Sequence, residues 1–216
     1  MAGGRCAQGR REARPRASGG GASGAGRAER ARRRHARAMG ERRIRRVGPE
    51  AAAEVHAAMR AGFVDSARYA HPSSALRESV EDVRAALGRG GGVLLEIDGA
   101  LRGSGRFAFV GEEAEVLAAR LREAGDEGAP APRVEADVAI SRLAVEPEAR
   151  GQGHGAAMVE WIEALARRLG ARALLADARS QQPDNRGWWR ARGFEVIGYA
   201  PRYGIPDIRT HMRKTL

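Results

Sequence analysis

Three alternate glycines stand in Arg150-Gly151-Gln152-Gly153-His154-Gly155, between a strand-like run and a helical stripe. No other feature constrains the fold as tightly. The preceding run, Val138 to Val145, alternates as a strand does, with Asp137, Ala139 and Ser141 on one face and Val138, Ile140 and Arg142 on the other. After the glycines, Met158, Ile162, Leu165 and Leu169 share one helix face, Gly170 stops the helix, and Ala173 to Ala176 reads as a further strand. A glycine-rich turn opening a helix is a ready anion site, because free amides and the helix dipole both face the turn. Arg150 adds a full charge at its rim, so a diphosphate is the natural guest.

Two rival readings attach to the same residues. One is a helix that merely begins with glycine. The other is the dinucleotide fingerprint G-x-G-x-x-A, which Gly151 to Ala156 satisfies and which Asp177 follows at the expected distance. Against the second, Glu146 to Arg150 separate the strand end from the first glycine, and only about 60 residues remain after Gly155, too few for the rest of a doubly wound sheet.

Upstream, Ile44 to Val47 reads as a strand and Pro49 opens a helix that buries Val55, Met59 and Phe63. His71 to Ser74 is a loop. A second helix runs from about Ser79 to Leu87, and Gly90-Gly91-Gly92 ends it. Val93 to Ile97 and Leu101 to Val110 form a hairpin around Asp98-Gly99. Residues 111–134 interrupt the pattern as an insertion, a helix from Glu112 to Ala124 and a loop from Gly125 to Pro132. A short helix carries Asn185 to Arg192, and Phe194–Tyr199 and Ile208–Met212 complete the sheet. The expected fold is a mixed α/β sheet with a helix-bearing crossover in its second half.

The chain has 216 residues and a formal charge of +11. Residues 1–39 hold eleven arginines and two glutamates, a net of +9, which leaves +2 for residues 40–216. Residues 1–38 read as a disordered basic tail outside a domain spanning 39–216, with Met39 as the natural start. The tail has no aromatic residue to stack on bases, so no specific nucleic-acid partner is expected. There is no apolar run of membrane-spanning length and no secretory signal pattern, and Cys6 is the sole cysteine. A cytoplasmic protein without an internal disulfide is expected.

Two blocks resemble the GNAT superfamily of acyl-CoA N-acyltransferases. The family pattern of a strand ending L-x-V, a proline turn and R/Q-x-x-G-x-G/A matches Leu143 to Ala156. The pattern P-x-N-x-x-F-Y-x-x-x-G-F matches Pro183 to Phe194, with Trp188-Trp189 in place of Phe-Tyr. The resemblance implies a mostly antiparallel sheet splayed between its fourth and fifth strands and flanked by helices. It implies acetyl-CoA, or another acyl-CoA, as co-substrate in that splay, with no metal. Leu143, Ala144 and Val145 would hold the pantetheine arm as an added strand does. Arg150, Gly151, Gln152, Gly153, His154, Gly155 and Ala156 would hold the diphosphate, with Asn185 and Trp189 beside the arm. The acceptor would be a small-molecule or protein amine attacking the thioester directly, and a homodimer stays open.

The family's proton donor is the Tyr of the Phe-Tyr pair; here that position is Trp189, whose indole is a poor proton donor, so the role is not carried over. Tyr199 and Tyr203 are the nearest replacements in sequence, and Asp137, with Glu135, is a candidate base acting through water. His154 reads either as a solvated loop histidine or as a catalytic one. Tyr69, His71 and Ser73 lie in the early loop where an acceptor pocket is expected. Two alternatives remain: a non-catalytic acyl-CoA sensor, and an acyltransferase similar to autoinducer synthases, which use longer acyl chains.

Overall fold

The computed structural model describes residues 41–124, 129–179 and 185–216. The expectations for the tail at 1–38, for Met39, for the loop at 125–128 and for Pro183 and Asp184 lie outside the described residues. The strands are β1 (Arg42–Val47), β2 (Gly90–Ile97), β3 (Ala100–Gly111), β4 (Ala136–Val145), β5 (Ala173–Arg179), β6 (Glu195–Pro201) and β7 (Ile208–Thr215). The helices are α1 (Ala52–Gly62), α2 (Val80–Leu87), α3 (Ala114–Ala124), α4 (His154–Leu169) and α5 (Arg186–Arg190). Among the described residues no helix is long and apolar enough to cross a membrane.

One seven-stranded sheet runs β1-β2-β3-β4-β5-β7-β6, and only the β4–β5 pair is parallel. That pair is brief. The pairing joins Val138–Leu174, Ala139–Leu175 and Ile140–Ala176, and the strands then part. The expected splay between the fourth and fifth strands is therefore present.

Each face of the sheet has its own core. On one side α4 buries Met158, Ile162, Leu165 and Leu169 against Phe107, Val138, Ile140 and Leu174. Each fully buried side chain of this kind stabilises the fold by about 1.5–3 kcal/mol. On the other side α1 and α2 bury Val55, Met59, Val83 and Leu87 over Leu94. The insertion docks on the first side, where α3 contributes Leu117 and Leu121.

The hairpin expected at Asp98-Gly99 forms, with φ of 51° and 77°, the positive pair a tight two-residue turn needs. The triple glycine differs from expectation. Gly88 caps α2, and Gly90 to Gly92 begin β2. A Cβ on Gly91 would lie 2.7 Å from the Phe107 ring, and one on Gly92 2.7 Å from Leu87 Cδ2. These glycines thus admit close packing inside a strand rather than ending a helix.

Candidate active site

The splay opens a cleft of about 650 Å³ between the end of β4, the start of α4, α5 and the segment after α1. Among the described residues, β4 has no strand partner on its β5 side past Ile140, so its backbone edge is open there. Leu143, Ala144 and Val145 on this edge line the cleft.

The loop from Gly151 to Gly153 enters α4 with both glycines left-handed, at φ of 77° and 79°. A Cβ at either would meet nothing within 4 Å, so backbone conformation rather than crowding demands glycine there. The N-cap Gly153 supplies no side-chain cap, and the first turn holds no acidic residue. Among the described residues, the amides from Gly151 to Ala156 donate to no protein acceptor. These are the free donors of a helix start, facing an open cleft.

Of the residues expected to hold a cofactor, Leu143, Ala144, Val145, Arg150, Gly151, Gly153, His154, Gly155, Ala156, Asn185 and Trp189 all line the cleft. Gln152 is exposed beside it. Arg150 differs in its use. Its Nε donates to Val145 O at 2.9 Å, Nη2 to Gly62 O at 2.8 Å and Nη1 to Asp65 Oδ2 at 2.8 Å. The guanidinium therefore staples the end of β4 to the end of α1, and the backbone amides carry the anion-binding potential. His154 is neither solvated nor paired. It is 2 % exposed, both ring nitrogens lack partners, and burial, aided by the Arg42 charge, depresses its pKa. It is a neutral packing residue.

The expected acid and base residues do not gather at the cleft. Tyr199 lies on edge strand β6 and Tyr203 in the β6–β7 turn, 62 % and 96 % exposed. Asp137 sits at the far end of β4, eight residues and roughly 26 Å of extended chain from Val145. It is buried and ion-paired to Arg172 at 3.1 Å and Arg213 at 3.6 Å, which gives it a structural role. Tyr69 lines the cleft, whereas His71 offers its carbonyl to Arg179 Nη1 at 2.9 Å and Ser73 Oγ accepts from Ala75 N.

Several features of the site, the packing of the expected Trp189 among them, are not evident from the sequence. Gly62, Phe63, Asp65 and Ser66 form the wall opposite α4. Trp188 also lines the cleft, beneath the Arg192 guanidinium 3.6 Å from its ring centroid. Trp189 makes edge contacts with Trp188 and Phe194 and is buried. Finally, β4 bulges: Ser141 and Ala144 face Arg106 and Ser104, leaving an additional residue between them. Arg142 in that bulge has φ of 52°. The bulge turns its side chain to the α1–α2 side, against the strict alternation expected. There Nε donates to Glu78 Oε1 at 2.7 Å and Nη2 to Ser74 Oγ at 2.8 Å. Glu78 also pairs with buried Arg106 at 2.9 Å, and burial lowers the Arg106 pKa. The bulge lies within the unpaired edge, so this network fixes the backbone that faces the cleft.

Residues 56–194 match the model of the acetyltransferase (GNAT) family. No protein of curated function matches the chain by sequence. Among solved structures, PaiA N-acetyltransferase from Thermoplasma acidophilum, in complex with coenzyme A, aligns over 82% of this chain and 99% of its own, at 12% identity and TM-score 0.59. Ribosomal-protein-alanine N-acetyltransferase from Brucella melitensis aligns over 81% and 99%, at 17% identity and TM-score 0.56. N-acetylglutamate synthase from Neisseria gonorrhoeae, complexed with coenzyme A and N-acetyl-glutamate, aligns over 82% and 35%, at 20% identity and TM-score 0.53. The splayed sheet, the glycine loop and the family match agree: the chain belongs to the GNAT acetyltransferase family.

Proposed function

We propose that the protein transfers an acetyl group from acetyl-CoA to an amine by direct attack within a ternary complex. The observation that carries this reading is the row of unpartnered amides from Gly151 to Ala156, beside the open β4 edge. The diphosphate sits on those amides, and the pantetheine arm runs along Leu143 to Val145 as an added strand. Asn185 stands beside the arm, and Tyr69 meets the acceptor on the opposite wall. Two of the structural neighbours were solved with coenzyme A, which fits this assignment.

The amine lone pair attacks the thioester carbonyl carbon. A backbone N–H of the bulged edge, near Val145, polarises the carbonyl oxygen as charge develops there. The tetrahedral intermediate then expels the CoA thiolate, a fair leaving group that solvent protonates. Release of free thiol from acetyl-CoA over a panel of amines tests the reading. The buried indole at Trp189, where the family has a tyrosine, motivates a second reading as an acyl-CoA sensor. Tight CoA binding without thiol release on any amine selects that alternative. Acetyl-CoA against long-chain acyl-CoA in the same assay sets the acyl length.

A further inference from the structure

Acyl transfer needs a group to take the proton of the attacking amine, and the side chains at the parting of β4 and β5 supply a candidate. Asp177 is the first residue on β5 beyond the last β4 pair, Ile140–Ala176. Its neighbours Ala176 and Ala178 are buried beneath α4, so Asp177 points to the opposite face. On that face α1 and α2 cover β2, β3 and β4, and Asp177 stays half exposed. His211 of β7 is its cross-strand partner, and Nδ1 of His211 lies 2.7 Å from Asp177 Oδ1.

The ring orientation follows from its two neighbours. Nδ1 faces β5, and Cδ2 faces Gly198 of β6, near which a Cβ would come within 4.0 Å. Nε2 therefore points away from the sheet, and among the described residues it has no partner. An ionised carboxylate at Nδ1 selects the Nδ1–H tautomer and leaves the Nε2 lone pair free. The other charged groups on this face are engaged. Arg209 Nε lies 3.5 Å from Asp177 Oδ2, Arg213 pairs with Asp137, and Arg179 pairs with Asp207 at 2.6 Å. Glu195 of β6 stands opposite Arg213.

We propose that His211, held in its tautomer by Asp177, is the general base of the acyl transfer, a role that rests on the acetyl-CoA reading above. As the amine nitrogen bonds to the carbonyl carbon and the C–S bond breaks, the proton leaving nitrogen passes to Nε2 of His211. The electron pair of the broken bond stays on the CoA sulfur, and the imidazolium later returns its proton to solvent. His211 stands on the second strand from β4, beside the point where β4 and β5 part, and a chain of water carries the proton from the amine to Nε2. Asp177 acts as a positioning residue that also stabilises the imidazolium.

The test uses the full chain with acetyl-CoA and a panel comprising a polyamine, free amino acids and an alanine-first peptide. For His211→Gln we expect kcat to fall about 100-fold and the acidic limb of the pH–rate profile to vanish, while the acetyl-CoA Kd stays unchanged. Asp177→Asn should lower kcat about 10-fold and displace that limb, because the amide no longer fixes the tautomer. Thermal melts of both variants establish that they are folded. Wild-type turnover with His211→Gln equal to it in rate and pH profile overturns the dyad and leaves acyl transfer standing. Acetyl-CoA binding by the wild type without turnover of any amine overturns both.

Discussion

The starts of α2 and α4 are built in opposite ways. At α2, Ser79 Oγ accepts from Asp82 N at 3.1 Å, and Asp82 Oδ2 accepts from Ser79 N at 2.8 Å, a reciprocal capping box. The preceding residue, Glu78, is gripped by Arg106 and Arg142. At α4, Gly153 offers no side chain, and among the described residues the amides from Gly151 to Ala156 have no protein acceptor. One helix start is closed by its own residues, and the other is left open. On the proposed function, the difference separates a terminus that serves stability from one that serves binding, within one domain.

Predictions follow from that contrast, in order of size. Gly153→Glu forces a side chain onto a left-handed backbone and sets a carboxylate at the proposed anion site. Acetyl-CoA affinity, measured by calorimetry, should fall at least about 100-fold while the protein remains folded. Unchanged affinity would erase the distinction between the two termini. Glu78→Ala strands Arg106 and Arg142 without their shared carboxylate, and denaturant unfolding should show a loss of roughly 3 kcal/mol. Because Arg142 holds the bulge on the open edge, the same variant should also weaken acetyl-CoA binding. Ser79→Ala removes the α2 cap alone. It should lower stability by about 1 kcal/mol and leave acetyl-CoA affinity unaltered.

The smallest expected effect comes from His154, the first residue of α4. Burial depresses its pKa from the ordinary value of 6.5, so the unfolded chain binds the proton more readily than the folded one. Its contribution is present above that ordinary value and is lost as pH falls toward the folded one. Stability curves should therefore decline below about pH 6.5 in the wild type and less steeply in His154→Leu.

Local features were legible in the sequence where local rules decide them. The apolar stripe of α4, the Asp98-Gly99 turn and the glycine loop each carry their reason within a few residues. What sequence left hidden depends on partners far along the chain. Gly91 and Gly92 lie in β2 because Phe107 and Leu87 occupy the space of their missing side chains. The Arg142 bulge depends on Glu78, and the Arg150 staple on Gly62 and Asp65. Asp137 lies on the right strand but at its wrong end for the cleft, a distance that alternation alone cannot register. Asp177 and His211 stand 34 residues apart and meet only through the β5–β7 pairing.

The central claim is that the open start of α4, and not the closed start of α2, receives the diphosphate of acetyl-CoA. Backbone amide chemical shifts recorded during a CoA titration test it most directly. Large, saturable shifts are expected from Gly151 to Ala156 and none from Ser79 to Asp82, with pantetheine, which lacks the diphosphate, failing to reproduce them. Saturable CoA binding that leaves the Gly151 to Ala156 amides unmoved would contradict it.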